Sequence, residues 1–139
     1  MNVEKELIEE EGLSLSCYKD TLGNWTIGVG HLLKSRCDDI SLEYAGKLLK
    51  DDISEAQTKL REKLPVYTEL DHVRQYVLLS MCFNLGIGKL LSFKKMLLAL
   101  ENKNYELAAH EMKDSLWYRQ VKRRADKLIN LMRKGVKNG

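Results

Sequence analysis

The chain has 139 residues, 44% of them hydrophobic and 31% charged, with nine glycines, one proline and a net charge of +3. That length suits one domain burying roughly two-thirds of its unfolded surface, and the apolar content excludes disorder, collagen-like repeats and a disulfide scaffold. No apolar run approaches the ~18 residues of a membrane span, and Met1–Glu11 carries five glutamates instead of a signal segment, so the composition predicts a soluble, cytoplasm-made protein.

Charge is spread unevenly. Residues 1–20 hold six acidic side chains (Glu4, Glu6, Glu9, Glu10, Glu11, Asp20) against Lys5 and Lys19. Residues 113–139 hold nine basic ones (Lys113, Arg119, Lys122, Arg123, Arg124, Lys127, Arg133, Lys134, Lys137) against Asp114 and Asp126. A basic end attracts polyanions such as nucleic acid, an anionic membrane or an acidic wall polymer; a solvated helix face is the alternative reading. Cys17, Cys37 and Cys82 have no metal-ligand spacing and are odd in number, which predicts reduced thiols.

Residues 3–11 predict a short helix, with Val3, Leu7 and Ile8 at helical spacing and Gly12 as its C-cap. From Leu13 to His31 the pattern changes to Tyr18, Trp25, Thr26, Ile27 and Val29 around the turn residues Asp20, Gly23 and Asn24, which predicts a β-hairpin or small sheet. Gly28 and Gly30 point to close backbone packing in its second strand. Ser41 caps a long helix with Ala45, Leu48, Leu49, Ile53, Ala56 and Leu60 on one face, ending before Pro65. Thr68 and Asp71 read as a capping box opening a buried central helix through Leu70, Val73, Val77, Leu78, Met81, Cys82 and Leu85. Further helices are expected over about 92–100, 104–113 and 122–134, the last ending at Gly135. The fold class is therefore α+β, a small sheet beside a helical bundle, in one domain over 1–139.

Glu11 and Asp20 are the candidate chemical pair. A carboxyl at a helix C-terminus among apolar neighbours is pushed toward its protonated form, whereas one in a polar turn stays ionised. Two carboxyls in such contrasting settings suit glycoside hydrolysis, with one acting as acid and the other activating water. Thr26, across the hairpin, is placed to hold that water. Acidic first helices and Asp-x-x-Gly turns are also ordinary structural features. No nucleophilic-serine, phosphate-loop or dinucleotide motif is present, and His31, His72 and His110 share no ligand spacing, so no metal and no cofactor are expected.

Glu10-Glu11-Gly12-Leu13, Tyr18-Lys19-Asp20-Thr21, Gly23 and Thr26-Ile27-Gly28-Val29-Gly30-His31-Leu32-Leu33 together resemble the active-site segment of the T-even phage lysozymes, endolysins of glycoside hydrolase family 24. Pro65-Val66-Tyr67, Leu70-Asp71, Val73-Arg74, Met81, Phe83 and Gly86 continue the resemblance, as do Ser115, Trp117-Tyr118, Gln120, Arg124-Ala125 and Gly135. The resemblance implies a lysozyme-like fold with a reduced sheet lobe over about 13–40, a connecting helix over 41–63, and a helical lobe of 1–12 and 65–139. It also implies an inverting muramidase that cuts the β-1,4 bond between N-acetylmuramic acid and N-acetylglucosamine.

By the same resemblance Glu11 is the general acid, Asp20 positions or deprotonates water, and Thr26 helps hold that water. Leu32 and Phe83 contact saccharide on opposite cleft walls, and Arg124 is the acid's basic neighbour. His31 is structural, with Asp52 as its partner in a stabilising ion pair. Trp117 and Tyr118 are read as packing residues. The short stretch Lys34–Asp39 predicts a trimmed sheet lobe; Met96 and Glu111 are not the polar residues the family has at these saccharide-contacting positions, and Asn84 stands where the family has a longer amide.

The expected partner is the peptidoglycan glycan strand, with no nucleic acid, no integral membrane segment and a monomeric chain. The expected route is accumulation in the host cytoplasm followed by holin-dependent access to the wall. A lytic transglycosylase on the same bond and a non-enzymatic basic nucleic-acid module are the competing readings.

Overall fold

A computed structural model describes residues 1–136; Lys137, counted in the basic tail, lies outside the described residues. Among the described residues the architecture is α+β, with a three-stranded antiparallel sheet and a majority of helix. The chain divides into two compact units, Met1–Gln57 and Thr58–Gly139.

In the first unit, α1 (Val3–Glu11) starts where the Asn2 side chain accepts the Lys5 N–H at 3.1 Å. It ends at Gly12, whose φ of 78° frees its N–H to reach the Ile8 carbonyl at 2.8 Å. Strands β1 (Ser14–Lys19), β2 (Trp25–Gly28) and β3 (His31–Leu32) lie side by side in that order. Tyr18 pairs with Thr26 and Thr26 with Leu32, so Thr26 occupies the middle of the sheet. Between Ser14 and Tyr18 the β1–β2 register slips, leaving the middle of β1 without regular partners on β2. The Leu15 carbonyl instead accepts the Ile40 N–H at 2.8 Å, which draws the loop after β3 back onto β1. Leu7, Ile27, Val29, Ala45 and Leu49 are the buried apolar side chains of this unit, with Ala56 nearly as enclosed.

Helix α2 (Leu42–Lys63) starts at Ser41, whose hydroxyl accepts the Tyr44 N–H at 3.1 Å, as the capping pattern predicts. In the second unit a 3-10 turn, Pro65–Glu69, precedes α3 (His72–Leu85). This corrects the capping-box expectation. Thr68 Oγ1 donates to the Pro65 carbonyl inside the turn, Leu70 is extended, and Asp71 is itself the cap, accepting the Arg74 N–H at 3.1 Å. Tyr76 through Cys82 are consecutively buried, so α3 is enclosed on every side and is the central helix of its unit.

Helix α4 (Ile87–Leu91) is one short element that the periodicity did not predict. It is followed by α5 (Lys94–Glu101), α6 (Tyr105–Lys113) and α7 (Leu116–Lys134), with α6 packed on both α5 and α7. Helix α7 begins earlier than the expected residue 122, because Ser115 caps a first segment whose helical geometry breaks at Lys122. The remainder carries Ala125, Leu128, Ile129 and Met132 inward and ends at Gly135. No helix among the described residues is long and apolar enough to cross a membrane.

Candidate active site

The turn between β1 and β2 is organised by one carboxylate. Asp20 Oδ1 accepts the backbone N–H of Leu22 at 2.9 Å and of Asn24 at 2.8 Å, while Oδ2 lies 3.4 Å from the Asn24 amide nitrogen. The Asp20 N–H donates to the Asn24 carbonyl at 2.9 Å, closing the turn from the other side. Short polar side chains favour such turns because they complete the hydrogen bonding that a tight backbone leaves open. Here the result is a carboxylate held in one orientation by backbone donors.

Thr26, only 2% exposed, follows on β2 and donates its hydroxyl to the Asn24 carbonyl at 3.0 Å. The same peptide segment thus fixes both Asp20 and Thr26. With its proton committed to that carbonyl, the Thr26 oxygen keeps lone pairs to accept from a water.

Glu11 ends α1, half-buried, and its carboxyl packs on the bend between β2 and β3. A Cβ added at Gly30 would come within 3.1 Å of Glu11 Oε2 and 3.5 Å of its Cδ. Gly30 also has φ +67°, so both its conformation and its bare Cα suit this approach. The first unit therefore contains Glu11, Asp20 and Thr26 on one short sheet and the helix end beside it.

His31 Nδ1 lies 2.7 Å from Asp52 Oδ2, linking β3 to α2 inside the same unit, with both side chains about three-quarters buried. Leu32, the next residue on β3, is 61% exposed, an apolar side chain left open to solvent beside this framework. Among the described residues no group of three or more His, Cys, Asp or Glu is placed to hold a metal ion.

Residues 8–134 match the phage lysozyme family. The chain belongs to that family. It is 32% identical to Probable T4-type lysozyme 1 of Dictyostelium discoideum, over 93% of this chain and 92% of that protein. It is 29% identical to the pre-baseplate central spike protein Gp5 of Enterobacteria phage T4, over 97% of this chain and 28% of the spike protein. It is 28% identical to the peptidoglycan hydrolase gp36 of Pseudomonas phage phiKMV, over 94% of this chain and 15% of that hydrolase. The fold is accordingly lysozyme-like, and this phage lysozyme family member is a lysozyme-type hydrolase.

The other predicted site residues of this family member lie in the second unit. Phe83 is half-buried near the end of α3, and Arg124 is half-buried on α7. Trp117 is 3% exposed, donates its indole N–H to Asn84 Oδ1 at 2.9 Å and meets Phe93 edge-on at 6.4 Å. That is the setting of a packing residue, with its one polar atom satisfied.

The sequence reading did not single out Asn24 or Gly30 for the site. Asn24 carried a signal as a turn residue, but its backbone role becomes visible only when β1 and β2 are paired. Gly30 carried a signal as a strand glycine, and the side chain pressed onto it comes from another element.

Proposed function

We propose that this chain is a bacteriolytic muramidase that hydrolyses the β-1,4 bond between N-acetylmuramic acid and N-acetylglucosamine in peptidoglycan, with inversion. The observation that carries the reading is the pairing of an acid packed on Gly30 with a carboxylate and a hydroxyl fixed to one turn segment. In this reading Glu11 protonates the glycosidic oxygen as the bond breaks. Asp20 and Thr26 hold a water on the opposite face of the sugar, and Asp20 takes its proton as the water attacks the anomeric carbon. Inversion requires the two carboxyls to stand about 6.5–9.5 Å apart, leaving room for that water.

Several roles rest on the family resemblance: saccharide contact for Leu32 and Phe83, and a basic neighbour to the acid for Arg124. The phiKMV relative is named a peptidoglycan hydrolase, which supports the choice of substrate. We further propose that the protein acts as a monomer in phage-induced lysis, accumulating in the host cytoplasm and reaching the wall through a holin lesion.

Glu11→Gln keeps the shape of the side chain and removes its acid function. General acid catalysis contributes about 10²–10⁴-fold, so lysis of a bacterial wall suspension should fall at least about 100-fold with an unchanged circular dichroism spectrum. Asp20→Ala should do nearly the same. Near-normal clearing by either folded variant overturns the assignment. Mass spectrometry of the digest separates hydrolysis, which leaves reducing-end muramic acid, from transglycosylation, which leaves the anhydro form. Product NMR at the anomeric carbon tests inversion.

A further inference from the structure

Two of the three cysteines meet in the first unit, at a place the proposed catalytic reaction does not use. Cys17 lies in the stretch of β1 where pairing with β2 is interrupted, and Cys37 lies in the loop that Ile40 ties back to Leu15. The Cys17 thiol donates to the Cys37 carbonyl at 3.2 Å, and the Cys37 thiol donates to the Asp38 carbonyl at 3.2 Å. Around them Ser16, Arg36, Asp38 and Asp39 line a surface cavity of about 590 Å³. Both thiols are partly exposed, whereas Cys82 is buried on α3.

We propose that Cys17 and Cys37 form a reversible intramolecular disulfide, a modification site that staples β1 to the loop before α2. The oxidant class is a low-molecular-weight disulfide, RSSR, small enough for the cavity. One cysteine, as its thiolate, attacks a sulfur of RSSR and expels RS⁻, leaving a mixed disulfide. The second cysteine attacks the protein sulfur of that mixed disulfide, forming the Sγ–Sγ bond and expelling the second RS⁻. The two cysteine protons end on two RSH molecules; the protein pair is oxidised by two electrons and the S–S bond of RSSR is reduced.

The geometry favours closure over a lasting mixed disulfide, because the Cys17 thiol already touches the backbone of Cys37. A disulfide needs its two Cα atoms about 4.4–6.8 Å apart, and the 3.2 Å contact of the Cys17 thiol with the Cys37 carbonyl brings the two residues side by side. The closed loop, residues 17–37, contains Asp20, Thr26 and His31, so the bond would restrict the unfolded freedom of the segment that carries the proposed site. Desolvation, followed by the nearby Cys17, Asp38 and Asp39, pushes the Cys37 thiol above its ordinary value. Exchange should therefore quicken as the pH rises, since only the thiolate attacks.

The test treats the full chain with oxidised glutathione at pH 8, followed by intact-mass and non-reducing peptide mapping. The expected result is the loss of two hydrogens, a cross-link between the peptides holding Cys17 and Cys37, and Cys82 still free to alkylation. The melting temperature should rise by about 5–10 °C and return on adding dithiothreitol. Cys37→Ser should show neither the cross-link nor the rise. Three free thiols after treatment, a stable glutathione adduct without a cross-link, or a bond that includes Cys82 would each overturn the proposal.

Discussion

Gly30 illustrates how a residue without a side chain can shape a carboxyl. A methyl group at Gly30 would press on the Glu11 carboxyl at 3.1 Å, and the backbone there is left-handed. Gly30→Ala therefore meets two penalties, a strained φ of about 1–2 kcal/mol and a displaced carboxyl. The expected outcome is a melting temperature lower by several degrees together with a loss of lytic rate larger than the loss of stability explains. A variant that is destabilised yet fully lytic would show that Glu11 needs no support from this bend. As candidates, Glu11 and Asp20 were legible in the sequence through their contrasting local settings together with the family resemblance. The contact with Gly30 was not, because it joins a helix end to a bend that only the folded sheet brings near.

Among the elements, local signals were read well and signals that depended on their neighbours were not. Ser41, Gly12 and Gly135 act where the pattern put them, since a cap is decided by a few adjacent residues. Thr68 and Asp71 had the spacing of a capping box, but Pro65 opens a 3-10 turn that consumes Thr68 first. The break at Lys122 in α7 had no proline or glycine to announce it. Across this break Tyr118 hydrogen-bonds Asp126, and that bond, ahead of desolvation and the carboxylate charge, raises the phenol above its ordinary value. The sign follows from the donor: ionising the phenol removes the proton that the carboxylate accepts. Asp126→Asn should therefore move one of the six tyrosines to a lower pH in an ultraviolet titration, and an unmoved curve would place the bond elsewhere.

For the molecule as a whole, charge is the property that sets how it meets a large anionic surface. Arg119, Lys122, Arg123 and Lys127 are exposed on α7, and Arg133 pairs with Glu106 at 3.0 Å. Attraction between such charges and a wall polymer is screened as the Debye length shrinks from about 10 Å at 0.1 M salt to about 3 Å at 1 M. If wall binding draws on this face, the clearing rate of a wall suspension falls steadily over that range, while neutralising Lys122, Arg123 and Lys127 flattens the dependence. A rate indifferent to salt would leave α7 as a solvated face. The boundary between the two compact units falls inside the unbroken helix α2, where no linker residue marks it.

Asn24 serves Asp20 and Thr26 mainly through its own peptide groups, the N–H to one and the carbonyl to the other. Main-chain atoms are the same in nearly every amino acid, so this position is shielded from ordinary mutation. A saturation library at residue 24 should show near-uniform activity with a single gap at proline, the one residue that lacks the amide proton. The site can thus drift in sequence at its pivot without drifting in shape.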